Sequence, residues 1–188
     1  MRKASVISLV LLVISGCSGV QYRDASKDKG SMEWGPKEIK ITVSKMVGSM
    51  HDFLKNEWGK AAFIEVKRFR NKTSEHIDTK MVSDEISTNL IKKRIKFIDQ
   101  SLTQESIKQM EMGMTGLIDP DSAIPAGMLK SPNLYLTGDI RDNVRTVGGK
   151  RLQYLVVTLK LVNLKTNIVE WQDQQQFLKA SKKNRISF

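Results

Sequence analysis

The chain has 188 residues, with 31 Lys and Arg against 20 Asp and Glu, a formal charge of +11 and a pI near 9.8. One cysteine excludes an internal disulfide, two histidines leave little for a transition-metal cage, and a 40% hydrophobic content is enough for one packed domain. Excess positive charge favours acidic partners.

Arg2 and Lys3 precede an uncharged apolar run from Val6 to Ile14 that ends in Ser15-Gly16-Cys17. This is the layout of a secretory signal, and the run is too short for a membrane-spanning helix. The expected organisation is a signal over residues 1–16, a flexible polar tether over 17–33, one globular domain over 34–180 and a basic C-terminal tail over 181–188. Cleavage would remove two basic and no acidic residues, so +11 becomes +9. Outside the cytoplasm the available acidic partners are membrane headgroups, cell-wall polymers and acidic protein surfaces, and nucleic acid is not expected. Cys17 is either a free thiol or a modified residue, and its signal-flanked setting favours modification. Val13-Ile14-Ser15-Gly16-Cys17 resembles the bacterial lipobox. That resemblance implies that Cys17 is lipidated, carrying enough acyl chains for stable anchoring without a transmembrane helix. Ser18, where an aspartate would signal inner-membrane retention in enterobacterial lipoproteins, points to the outer membrane.

Trp34-Gly35-Pro36 marks the start of structure, because proline suits the first helical turn. From Ile39, the residues Val43, Met46, Val47, Met50, Phe53 and Leu54 recur at spacings of three and four, which predicts an amphipathic helix ending near Lys55. Ala61–Phe69 reads as a first strand and Arg70–Ser74 as a polar turn. Met81, Val82, Ile86, Leu90 and Ile91 predict a second helix between Asp78 and Arg94, capped by Asp78 or Thr79. Lys92, Lys93 and Arg94 fall in its last turn, where cations suit the helix dipole, and read as a solvated helix end. Ile95–Asp99 predicts a short strand, and Thr103 a cap for a third helix through Ile107 and Met110. Glycines and prolines between Met112 and Ser131 leave room only for a short helical piece at Ala126–Lys130.

The clearest pattern comes last. Leu134, Leu136, Gly138 and Ile140 alternate with Tyr135, Thr137, Asp139 and Arg141, the period of a half-buried strand. After Gly148-Gly149, a second strand places Leu155, Val157, Leu159 and Leu161 on one face and Tyr154, Val156 and Val162 on the other, which predicts a central strand covered on both sides. Leu164–Asn167 reverses the chain through a left-handed Asn167, and a third strand follows with Val169, Trp171 and Phe177 on one face. The expected fold is α/β: a mixed, largely antiparallel sheet of four to five strands with helices packed on it, ending in a C-terminal meander.

No catalytic constellation accompanies this fold. His51 and His76 stand apart, with no Cys or His spacing for zinc. There is no nucleophile elbow and no phosphate-binding loop. Asp119 and Asp121 provide too few oxygens for calcium, so no metal and no cofactor are expected. The chain reads as a binding protein, not an enzyme.

Taken in order, the lipobox, the polar tether, Phe69-Arg70-Asn71-Lys72-Thr73, Tyr135-Leu136-Thr137-Gly138 and Asn167-Ile168-Val169-Glu170-Trp171 resemble the LpoB-type activators of penicillin-binding proteins. The resemblance spans about Gly35 to Phe177. It implies an outer-membrane lipoprotein facing the periplasm, which stimulates a class A penicillin-binding protein, a peptidoglycan synthase. It also implies a helix-flanked sheet related to the domain of CsgG-like lipoproteins. The candidate contact residues are Lys67, Arg68, Arg70 and Lys72, with Arg141, Arg145, Lys150 and Arg151 near strand ends. The tether departs from the family, because residues 18–35 contain no proline and extend at most roughly 60 Å. Two alternatives carry different partners: a CsgG-like secretion-associated lipoprotein, and a lipoprotein binding peptidoglycan directly. The loops are too short to hide the membrane strands a pore needs, each about 9 to 11 residues.

Overall fold

The computed structural model describes Ser31 and residues 33–182. The signal, Cys17 and residues 183–188 lie outside the described residues. Helix α1 covers Pro36–Phe53 and continues as a wider π-turn over Leu54–Trp58, which Gly59 ends with φ +62°. Strands β1 (Ile64–Val66) and β2 (Arg70–Lys72) follow, then α2 (Thr79–Lys92) and α3 (Thr103–Met114). The long strands β3 (Leu134–Val147), β4 (Lys150–Asn163) and β5 (Val169–Lys182) close the chain. The sheet runs β1-β3-β4-β5, with β2 beside β1 along the same edge of β3. The two short strands pair parallel to β3, while β3, β4 and β5 form the antiparallel meander. The expected α/β architecture is present.

The meander's turns follow from their residues. Gly148 and Gly149 both take positive φ, which a two-residue hairpin of primed type requires. Asn167 is left-handed at φ +59°, as expected. The core lies on one face of the sheet. Met46, Val47 and Met50 of α1 and Val82, Ile86 and Leu90 of α2 are fully buried against Leu134, Leu136, Ile140, Leu155, Val157, Leu159 and Leu161. Apolar burial of this kind stabilises by about 25 cal/mol per Å2 and is the main force holding the helices on the sheet. Trp171 reaches Ser49 of α1 with its indole N–H at 3.3 Å, and Phe177 packs edge-on to Trp34 at 6.2 Å. Lys179 pairs with the buried Glu38 at 2.9 Å and donates to the Glu33 carbonyl, fastening the start of α1 to the far half of β5.

Several expectations are corrected, and two corrections share a cause. The segment Ala61–Phe69 is not one strand. From Val66 to Arg70 the chain advances four residues while β3 advances three, so one residue is bulged out. The bulge turns Phe69 into the core and sends Arg70 and Lys72, expected in a loop, to the opposite face as β2. A second bulge, at Leu161 and Val162, puts Val169 opposite Val162 and Trp171 opposite Leu161. Val169 therefore lies on the other face from Trp171 and Phe177.

The central strand β4 is covered by helices on one side only, and Tyr154 on the other is 40% exposed. Ile95–Asp99 makes a single bridge, Phe97 to Ile64, because Asp99 already caps a 3-10 turn by accepting from Ser101 N–H. Asp78 caps α2 by accepting from Lys80 N–H. Thr103 is the first residue of α3 rather than its cap. Ala126–Lys130 is no helix: Ala126 and Gly127 form a turn, with Gly127 at φ +83°.

Candidate functional site

The helix-free face of the sheet gathers most of the expected contact residues. Asp139 is its centre. Alternation along β3 puts Asp139, Arg141, Asn143 and Arg145 on this face, and pairing of Arg70 with Asp139 and of Lys72 with Arg141 brings in β2. Arg141 holds Asp139 in a two-pronged grip, Nε to Oδ1 and Nη2 to Oδ2, both 3.0 Å. Lys72 Nζ lies 3.4 Å and Arg70 Nη2 3.8 Å from the same carboxylate. Burial pushes the Asp139 carboxyl up, but the Arg141 hydrogen bonds and charge, with Lys72, outweigh it and hold its pKa below the usual value. The same contact raises the Arg141 guanidinium. One carboxylate cannot neutralise three cations, so this edge keeps net positive charge on a fixed frame.

Farther along the face, Asn143, Arg145, Leu152, Tyr154 and Leu178 line a shallow recess of about 170 Å3. Leu178 is 67% exposed at its margin. Lys150 pairs with Val147 and shares this face, whereas Arg151 pairs with Thr146 and projects to the opposite one. Lys67 is tied back to Glu65, and its N–H bonds Leu136 O at 2.8 Å. Arg68 is exposed in the bulged link. The structure thus joins Arg70, Lys72, Arg141, Arg145 and Lys150 on one face and leaves Lys67, Arg68 and Arg151 away from the Asp139 cluster.

The loop after β2 is held by its own polar side chains. Asn71 Oδ1 accepts from Thr73 N–H at 3.0 Å, and Asn71 Nδ2 donates to Glu75 O at 2.7 Å. Ser74 donates to Asp142 through both N–H and Oγ. Glu75 accepts from Trp34 N–H at 2.8 Å and from the Nε2 of the fully buried Gln153 at 2.7 Å. This network positions β2, and so Arg70 and Lys72, from the helix side of the sheet. Asp139, Asn143, Tyr154 and Leu178 were not among the contact residues expected from the sequence. The available signal was a carboxylate in mid-strand, flanked two residues on by an arginine of the same face.

His51 sits on α1 with Nδ1 3.2 Å from Asp52, and His76 is exposed in the loop before α2. Among the described residues no group of His, Cys, Asp or Glu is placed to hold a metal ion, and no helix is long and apolar enough to cross a membrane. Asp119 accepts from the N–H of Asp121 and shapes a turn.

The family model described as peptidoglycan-synthase activator LpoB matches residues 38–177. This chain belongs to the LpoB family. The match takes in both bulges, the Asp139 cluster and the meander as far as Phe177. Among solved structures, the LpoB C-terminal domain from Escherichia coli is 13% identical, with a TM-score of 0.44, covering 74% of this chain and 94% of that one. The Salmonella enterica LpoB C-terminal domain is 12% identical at TM-score 0.41 with the same coverage. Lipoprotein GNA1162 from Neisseria meningitidis is 13% identical at TM-score 0.41, covering 64% and 84%. Among curated proteins, none matches the chain. Membership identifies the chain with activators of peptidoglycan synthases.

Proposed function

We propose that this LpoB-family protein is a lipid-anchored outer-membrane activator that binds a class A penicillin-binding protein in the periplasm through the open face of its sheet. The observation that carries the reading is the positive cluster of Arg70, Lys72 and Arg141 around Asp139, on the same face as the Arg145–Tyr154 recess. Fixed charges beside an exposed aromatic and an exposed leucine suit a protein partner. The charges steer and orient an acidic surface, and Tyr154 and Leu178 supply apolar contact at the centre. Acylation of Cys17 would confine the domain at the membrane and raise its effective concentration near the synthase. The tether reaches at most roughly 60 Å, so the synthase must project toward the outer membrane to meet it. Activation then consists of holding the synthase in its active conformation through differential binding, with no bond made or broken by the activator.

Copurification from envelope extracts tests this reading. Arg70→Glu with Arg145→Glu should abolish recovery of the class A synthase, while both proteins remain at normal abundance. Unchanged recovery would exclude this face.

A further inference from the structure

A second cationic site lies at the opposite end of the helical layer. The end of α1, the link to β1 and the residues closing α2 border an open recess of about 290 Å3, large beside the roughly 30 Å3 a water occupies. Lys55 comes from the π-turn that continues α1, and Lys93, Arg94 and Lys96 from the residues just after α2, with His51 also lining the recess. Leu54, Ala62 and Ile95 give it an apolar side. No carboxylate lines it; Asp52, which pairs with the lining His51 at 3.2 Å, is itself well exposed. Among the described residues the side chains of Lys55, Lys93 and Arg94 have no hydrogen-bond or ion-pair partner.

The backbone adds an independent observation. Helix α2 closes through Ile95 N–H to Leu90 O at 2.9 Å and Arg94 N–H to Ile91 O at 2.9 Å, a stop that places its turning residue in the left-handed region. That residue is usually glycine, and here it is Arg94, at φ +58°. An arginine held where glycine would be free of strain directs attention to its side chain, because strain persists where it has a use. Helix dipoles explain why cations sit at two helix ends. They do not explain a left-handed arginine lining a recess that joins two elements.

We infer that this recess binds a phosphate-bearing ligand, a phosphate monoester or diphosphate, either free or as the headgroup of an anionic lipid. Four cations without a lining carboxylate exceed what one carboxylate neutralises, whereas a phosphate group brings close to two charges and several acceptor oxygens. The apolar side accommodates the uncharged part of such a ligand. The site is separate from the open sheet face, sharing none of its residues with the Asp139 cluster or the Arg145–Tyr154 recess. It also lies about 27 Å along α1 from Trp34, away from the end where the tether joins.

The test uses the chain from residue 17 onward with Cys17→Ser, so that neither the apolar signal nor an acyl chain confounds lipid binding. Inorganic pyrophosphate is titrated calorimetrically, and vesicles of phosphatidylcholine with and without phosphatidic acid, a lipid phosphate monoester, are sedimented with the protein. Saturable pyrophosphate binding is expected, weakened by about tenfold or more in Arg94→Gly and in Lys55→Ala, because each removes a charge-assisted contact. Arg94→Gly should also raise the melting temperature, since glycine relieves the left-handed strain, which separates lost binding from lost folding. Lys80→Ala, roughly 20 Å away along α2, should bind as the parent does. Sedimentation with phosphatidic acid vesicles, lost in Arg94→Gly, would identify a lipid headgroup as the source. Pyrophosphate binding without sedimentation would identify a free phosphate compound. Absence of saturable binding to both probes, or equal binding by parent and variants, would overturn the proposal.

Discussion

The two faces of one sheet are built on opposite rules. Under the helices, Leu155, Val157, Leu159 and Leu161 are fully buried, and the network through Glu75, Gln153 and Asp142 is confined to the margin of that face. On the open face, neighbouring positions of the same strands carry Arg141, Arg145, Tyr154 and Leu178, held by ion pairs or left in solvent. The first face fixes the shape and the second presents groups to a partner. What assigns side chains to one or the other is backbone register, because each bulge reverses the faces beyond it.

Substitutions on the two faces should therefore separate stability from binding. Leu159→Ala empties a fully buried site and should cost about 2–5 kcal/mol in urea unfolding, with partner binding lost only in proportion to unfolded protein. Gly138→Ala is next. Its added Cβ would overlap Thr158 O and stand 2.8 Å from Phe69 and 2.9 Å from Leu159, so backbone must move, at about 1–3 kcal/mol or more.

Asp139→Asn lies between the two classes. It keeps the shape but releases Arg141, Lys72 and Arg70, and should cost about 1 kcal/mol, the partners being well exposed. Because folding lowers the Asp139 pKa, its contribution is complete above the ordinary value of 3.8 and is lost as pH falls through the lowered one. Acid unfolding curves should flatten in Asp139→Asn below pH 3.8, with Asp99, also lowered by its Ser101 bonds, supplying part of the slope that remains. Arg145→Glu, on the open face alone, should leave the unfolding midpoint unchanged and weaken synthase recovery. A midpoint shift as large as that of Gly138→Ala would erase the distinction between the faces.

Much of the helix-covered face was legible in the sequence. The three-and-four spacing from Ile39 to Leu54 and the alternation from Leu134 to Ile140 each specify one apolar side, and burial follows them closely. The open face was less legible for a definite reason. An extra residue between Val66 and Arg70 changes no composition and leaves no periodic trace, since the interrupted strand is only three residues on each side. The basic residues were visible, but not the carboxylate that organises them. Asp139 acquires its role only when β2 pairs with β3 and brings Arg70 and Lys72 across. The third helix shows the opposite failure: Thr103 has the chemistry of a cap, yet Asp99 takes that role one turn earlier for the 3-10 segment.

Site-specific photocrosslinking in intact cells decides whether the open face is the binding face. A crosslinking residue at Tyr154 should capture a class A penicillin-binding protein, and one at the exposed Thr88 on the outer side of α2 should not. Capture of the synthase from Thr88 with none from Tyr154 would place the partner on the helices and contradict the assignment.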